Sequence, residues 1–181
     1  MAKTIVGIAG SLRKASFNAA LLRAAVELAP PDLRVATATI AGIPLFDGDV
    51  EAAGLPAAVV ALKDQIAACD GLLLVTPEYN QSIPGPFKNA IDWLSRPASD
   101  IPRVFGGKPV ALMGATPGQG GTRLSQTAWL PVFRALDLRP WFDKPLFVAG
   151  AEKVFDAEGK LVDDKIRRIL GDLMTRFALS L

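Results

Sequence analysis

The chain has 181 residues, half of them hydrophobic and about a fifth charged, with a formal net charge of +2; this is the size and composition of one globular domain with a filled core. A balance so small and so evenly spread excludes a nucleic-acid binder, yet suits anionic small ligands such as phosphates. Histidine is absent and Cys69 is the one cysteine, which excludes Ser-His-Asp and Cys-His catalysis, an intrachain disulfide, and most zinc and haem sites.

Chemistry at neutral pH must then come from carboxylates, Lys, Tyr, the backbone or a cofactor. No stretch reaches the roughly 18 apolar residues of a membrane helix. The opening Met1-Ala2-Lys3 leads directly into a strand, without the h-region of a signal peptide. The expected location is the cytoplasm.

Apolar runs alternate with amphipathic segments from end to end, the pattern of a parallel sheet covered by helices on both faces. The first strand is Thr4 to Ala9, closed by Gly10. A helix follows from about Phe17 to Leu28, with Leu21, Leu22, Ala25 and Leu28 at helical spacing, and Pro30-Pro31 stops it. Leu33 to Ile40 alternates and is rich in Val, Thr and Ile, so it reads as the second strand. Gly42 to Leu55 reads as a long loop. Pro56 suits a first helical position, and that helix runs to about Cys69 with Val59, Leu62 and Ile66 on its apolar face. Leu72 to Thr76 is apolar almost throughout, which predicts a strand buried on both faces. A proline-rich loop, Pro77 to Pro86, precedes a helix to Leu94.

Pro109 to Gly114 is the fourth strand and Thr116 to Gly121 a glycine-rich loop. Thr122 to Leu136 has helical spacing, with Pro131 expected to kink or interrupt it. The fifth strand lies within Leu138 to Val148. Asp156 to Gly159 forms a turn. The last helix spans Asp163 to Phe177, with Ile166, Ile169, Leu170, Leu173 and Phe177 facing the core; Asp163-Asp164 is a solvated helix start favoured by the dipole. Handedness and crossover rules favour a doubly wound α/β fold: five parallel strands in the order 2-1-3-4-5, helices on both faces. Ligands in such sheets bind beyond the C-terminal strand ends, where strands 1 and 3 diverge.

That rule singles out three loops. The first runs Gly10-Ser11-Leu12-Arg13-Lys14-Ala15-Ser16-Phe17-Asn18. Its hydroxyls, its arginine and the unpaired amides of the following helix could together hold a phosphate. Hydrogen bonds to a charged group contribute roughly 1.5–3 kcal/mol each, against about 0.3–1 kcal/mol from the dipole. The plainer alternative is a cap, with Ser16 or Asn18 closing the helix and Arg13 solvated. The loop is neither a Walker A motif nor GxGxxG.

The second loop, Thr76 to Pro86, is stiffened by Pro77, Pro84 and Pro86 and carries the only tyrosine, Tyr79. A rigid loop can present backbone groups to the polar edge of a flat heterocycle. The third, Ala115 to Gly121, has three glycines in four residues, which let backbone approach a ligand closely. Both could also be ordinary connections.

With Gly10 to Asn18, Thr76-Pro77-Glu78-Tyr79-Asn80, Ser82-Ile83-Pro84-Gly85, Lys88 to Arg96, and Gly120-Gly121 with Arg123 in order, the chain resembles the NADPH-dependent FMN reductase family. The small quinone and chromate reductases are the nearer branch. The resemblance implies one flavodoxin-like domain over residues 1–181 with non-covalent FMN and NADPH or NADH as reductant. Ser11, Arg13, Ser16 and Asn18, with Phe17 between them, would surround the phosphate. Pro77, Glu78, Tyr79 and Asn80 would line the isoalloxazine, largely through backbone, and Thr116 and Gly118 would close the third side. Glu78, having no partner carboxylate, reads as structural. Catalysis would be ping-pong, with the chemistry carried by FMN and no catalytic side chain. Acceptors would be a quinone, an azo or nitro compound, a metal oxyanion such as chromate, or free flavin.

The family is typically homodimeric or homotetrameric, without nucleic-acid or membrane partners. The chain departs from the pattern at Gln81, at Pro86-Phe87, and at Leu124 to Leu130, where the chromate-reducing branch has a Gln-Tyr-His-Leu-Arg-like stretch; Trp129 could serve subunit contact here instead. Trp93 and Trp129 read equally as core. Cys69 reads as packed rather than reactive. The competing function is a flavodoxin-type electron carrier without turnover of its own, which the slightly basic charge disfavours. A second competitor is a scaffold that has lost flavin.

Overall fold

The computed structural model describes residues 2–181. Its elements are β1 (Lys3–Ala9), α1 (Phe17–Glu27), β2 (Leu33–Ala38), α2 (Gly48–Ala53), α3 (Ala57–Ala67), β3 (Gly71–Val75), α4 (Gly85–Leu94), α5 (Ile101–Val104), β4 (Pro109–Ala115), α6 (Arg123–Ala135), β5 (Arg139–Val148) and α7 (Asp164–Ser180). Short 3-10 turns occupy Ala98–Asp100 and Ala151–Lys153. The strands form one parallel sheet in the order β2-β1-β3-β4-β5, the flavodoxin-like arrangement expected from the sequence.

Side chains alternate across the sheet and divide the core in two. Ile5, Leu73, Val75, Ala111 and Met113 pack under α1 and α7. Val6, Ile8, Leu72, Leu74 and Val110 pack under α3, α4 and α6. β3 sits at the centre, and all five of its residues are buried, in keeping with its unbroken apolar run.

Several boundaries differ from expectation. Pro56 is the N-cap of α3 rather than its first residue. The 42–55 loop contains α2, capped by Asp47, whose Oδ1 accepts from Asp49 N at 2.9 Å. No residue of α2 is buried, so it carries no apolar stripe to reveal it. α6 continues through Pro131. Pro131 and Thr127, whose carbonyl loses its i+4 donor, are both exposed, so water can take the freed acceptor.

The segment between α4 and β4 is held by a buried lysine on the apolar face of α3. Lys63, 1 % exposed, donates to the carbonyl of Arg96 and pairs with Asp100 Oδ2 at 2.7 Å. Arg103 and then Lys63 hold the Asp100 carboxyl well below the usual carboxylate range. Cys69 is buried, its Sγ bonded to the carbonyls of Ile66 and Gly71; burial pushes its thiol up, so it is packed and inert as expected.

Candidate active site

The strand register brings the three loops to one place. Ala9 lies opposite Val75, and Val75 opposite Met113. The ladder continues one residue past each strand, with Gly10 N donating to Val75 O at 2.9 Å and Thr76 N to Met113 O at 2.9 Å. The chain therefore leaves β1 and β3 at one level while β4 runs on to Ala115, on the edge where the sheet order reverses.

A cleft opens there, lined by Ser11, Arg13, Ser16, Phe17, Asn18, Pro77, Glu78, Tyr79, Ala115, Thr116 and Pro117. Asn80 and Gly118 stand outside that lining. Asn80 is at the tip of a two-residue hairpin: Tyr79 and Ser82 exchange both backbone hydrogen bonds, at 3.2 and 3.0 Å, and Asn80 and Gln81 have φ of 49° and 61°. Two successive positive φ values define a type I′ turn. Gly118 is turned inward on its own loop, its N–H on Thr116 Oγ1 at 3.3 Å and its carbonyl accepting from Gly150 N at 3.2 Å.

At the β1 end, Ser16 caps α1, its Oγ accepting from Ala19 N at 3.2 Å. The cap and the cradle are therefore compatible, because the Ser16 proton remains free to donate. Among the described residues, the amides of Phe17 and Asn18 have no acceptor in the chain. Ser11 Oγ accepts from Arg13 N at 3.3 Å, a local turn at the start of the loop. Gly10 is required beneath it, since a Cβ there would lie 2.0 Å from the ring of buried Phe87.

Asn18 does a second job. Its Nδ2 donates to Ala115 O at 2.9 Å and its Oδ1 accepts from Ala115 N at 2.9 Å, both buried. This amide clamp ties the start of α1 to the end of β4, so one Nδ2 proton remains for a ligand.

Glu78 joins the other two loops. Its Oε2 accepts from Leu124 N at 3.0 Å and Ser125 N at 3.1 Å. These are first-turn amides of α6, whose own N-cap, Thr122, makes no side-chain capping bond, its Oγ1 accepting from Gln126 Nε2 instead. The carboxylate thus caps the helix across space, which supports the structural reading of Glu78. Below it, Thr76 Oγ1 donates to Pro77 O at 2.9 Å, accepts from Trp129 Nε1 at 3.2 Å, and lies 3.0 Å from Ser125 Oγ. Trp129 is wholly buried, so it is unavailable for subunit contact and serves this network instead. Trp93 is also wholly buried, its Nε1 donating to Pro44 O at 2.9 Å.

The residues present fit FMN. One end of the cleft offers two unpaired amides, two hydroxyls and an exposed guanidinium for a phosphate dianion. The other end is a slot between Pro77–Tyr79 and Ala115–Pro117, walled by rigid backbone and suited to a flat ring. Ala115 and Pro117, which also line the cleft, belong to the third loop, but nothing in their residue types marks them as site residues.

A doubly wound sheet with a phosphate cradle and a planar slot at its switch point defines a flavin-binding protein. Residues 4–153 match the family described as NADPH-dependent FMN reductase. An NAD(P)H-dependent FMN reductase of Pseudomonas aeruginosa is 44 % identical over 166 residues, 92 % of this chain and 88 % of that one. A 2-hydroxy-1,4-benzoquinone reductase of a Burkholderia species is 40 % identical over 178 residues, 98 % of this chain and 96 % of that one. The structure of the flavoenzyme NAD(P)H:(acceptor) oxidoreductase FerB from Paracoccus denitrificans superposes with a TM-score of 0.87 at 32 % identity, covering 97 % of this chain and 95 % of that one. The chain belongs to the NADPH-dependent FMN reductase family. It is an oxidoreductase that works with FMN and a reduced nicotinamide, rather than a flavodoxin-type carrier.

Proposed function

We propose that this enzyme reduces quinones, holding FMN in the cleft through the residues named above. The observation that carries the reading is the pairing of the free Phe17 and Asn18 amides beside Arg13 with a planar slot in the same cleft. When bound, FMN supplies the redox chemistry, taking a hydride from NADPH or NADH and delivering two electrons to the acceptor.

The chain's own residues bind and orient. Ser11, Arg13 and Ser16, with the Phe17 and Asn18 amides, grip the phosphate. Pro77, Glu78 and Tyr79 form one wall of the slot through backbone, with Asn80 stiffening the hairpin behind it. Thr116 forms the opposite wall, with Gly118 bracing its loop. Tyr79, 44 % exposed, borders the open face where nicotinamide and acceptor would stack in turn. Quinones are supported as acceptors by the names of the relatives; azo and nitro compounds, chromate and free flavin suit the same open face. A homodimer or homotetramer in the cytoplasm fits the family resemblance. No helix is long and apolar enough to cross a membrane.

The test is an absorption spectrum of the purified protein followed by anaerobic titration with NADPH, which should bleach a flavin band, and then reoxidation by a benzoquinone. Arg13→Ala should raise the FMN Kd about tenfold or more while leaving the melting temperature unchanged, because Arg13 is exposed and bears no structural bond through its side chain. Unaltered retention would remove Arg13 from the site.

A further inference from the structure

The phosphate end of the cleft is not closed. It continues into a larger open groove between the α1 loop and the 152–159 segment. Arg13, Ser16 and Phe17 line both. The groove lies on the far side of these residues from the Pro77–Tyr79 wall, none of whose residues reaches it. A ligand that continues into it must therefore be extended at its phosphate, not at its ring.

We infer that the groove accepts the adenylate half of a flavin dinucleotide, so that the protein holds FAD as well as FMN. The inference rests on the FMN reading of the cleft. The composition of the groove matches the extension. Arg13 and Lys14 stand at its mouth, and Arg23 stands two turns along α1, on the face that also carries Ser16 and Ala20. Among the described residues none of these three cations forms an ion pair. Arg23 makes only a long bond, 3.4 Å, to Gly159 O, so its guanidinium can turn to a phosphate or ribose oxygen.

Ala20 and the edge of Phe17, which stacks on Phe155 at 5.9 Å, give an apolar surface for the base. On the opposite rim, Glu158 offers a carboxylate to an exocyclic amine or a ribose hydroxyl. Asp156, by contrast, is committed to Lys160 N at 2.7 Å. The groove's three cations share its lining with three carboxylates, Glu152, Asp156 and Glu158; because a phosphate monoester and a pyrophosphate diester both carry close to two negative charges near neutral pH, the dinucleotide adds length without adding charge to that balance.

The experiment is a competition. Purified full-length protein is equilibrated with equal concentrations of FMN and FAD, gel-filtered, and the retained flavins are separated and quantified. The expected result is at least about one FAD for every ten FMN. In Arg23→Ala the FAD share should fall about fivefold, the size an exposed charge contact reaches, while FMN retention stays unchanged and reports that the fold is intact. FAD below that share with FMN retained, or an unaltered ratio in Arg23→Ala, overturns the inference and leaves the FMN reading standing. Retention of neither flavin overturns both.

Discussion

Glu78→Ala tests how the walls of the slot are held together. The carboxylate is half-buried and accepts two α6 amides at 3.0 and 3.1 Å. Losing an N-cap acceptor costs about 0.5–2 kcal/mol, and the favourable charge at the helix N-terminus overlaps with roughly 0.3–1 kcal/mol of that. Leu124 is exposed, so solvent reaches its freed amide, whereas Ser125 is buried and its amide keeps part of the penalty for an orphan. A net loss of about 1–2 kcal/mol corresponds to a melting temperature lower by roughly 3–6 °C for a chain of this size.

The same bonds fix Pro77–Tyr79 against the start of α6. If about 1 kcal/mol of the clamp goes into holding the slot open at its working width, the FMN Kd should rise around fivefold. Glu78→Gln keeps a neutral acceptor and should recover about half of both effects. Differential scanning fluorimetry on the flavin-free protein and calorimetric titration with FMN measure the two terms separately. A melting temperature within about 1 °C of the parent would show that the carboxylate does not cap α6. A lower melting temperature with an unchanged Kd would show that the cap does not set the slot.

Further outcomes follow from other contacts. Asn18→Ala strands a buried N–H and C=O of Ala115; at about 1–3 kcal/mol for each orphan, thermal melting should occur roughly 6–18 °C lower, and a smaller change would mean that water replaces the clamp. Gln81→Gly relieves an L-residue at φ 61° and should raise the melting temperature by about 2–3 °C, since the αL penalty of roughly 1–2 kcal/mol exceeds the added entropy of glycine. Asp100 has a carboxyl pKa depressed in the folded state by Arg103 and Lys63. Its contribution is therefore complete above the unfolded value of about 4 and is lost as pH falls below it. Urea midpoints measured from neutral to acid pH should fall less steeply in Asp100→Asn than in the parent, and parallel slopes would refute the assignment.

How much of the site was legible depends on how local each device is. The Ser16 cap and the free amides after it follow from a short polar loop between a strand and an amphipathic helix. The Tyr79–Ser82 hairpin was only half legible. Three prolines marked a stiff loop, but Asn-Gln is a weak type I′ signal compared with Asn-Gly, and Gln81 stood out only as a departure from the family. Lys63 stands four residues after Val59 and three before Ile66, on the apolar face of α3, but nothing local names the Arg96 carbonyl and the Asp100 carboxylate that hold it. Pro131 reads as a helix breaker, and only its exposure shows why the helix tolerates it.

What sequence by itself determined is the sheet, its strand order, and which three loops meet. Those follow from hydrophobic period, chain length and the handedness of strand crossovers, all of which act over tens of residues or fewer. What the tertiary structure alone decided is how those loops are locked. The Asn18 amide reaches Ala115 across 97 positions, Glu78 reaches Leu124 across 46, and Trp129 reaches Thr76 across 53. Hydrogen-bond partners so far apart in the chain are chosen by the strand register and helix packing that bring them within 3.2 Å, and no periodicity in the chain encodes that choice.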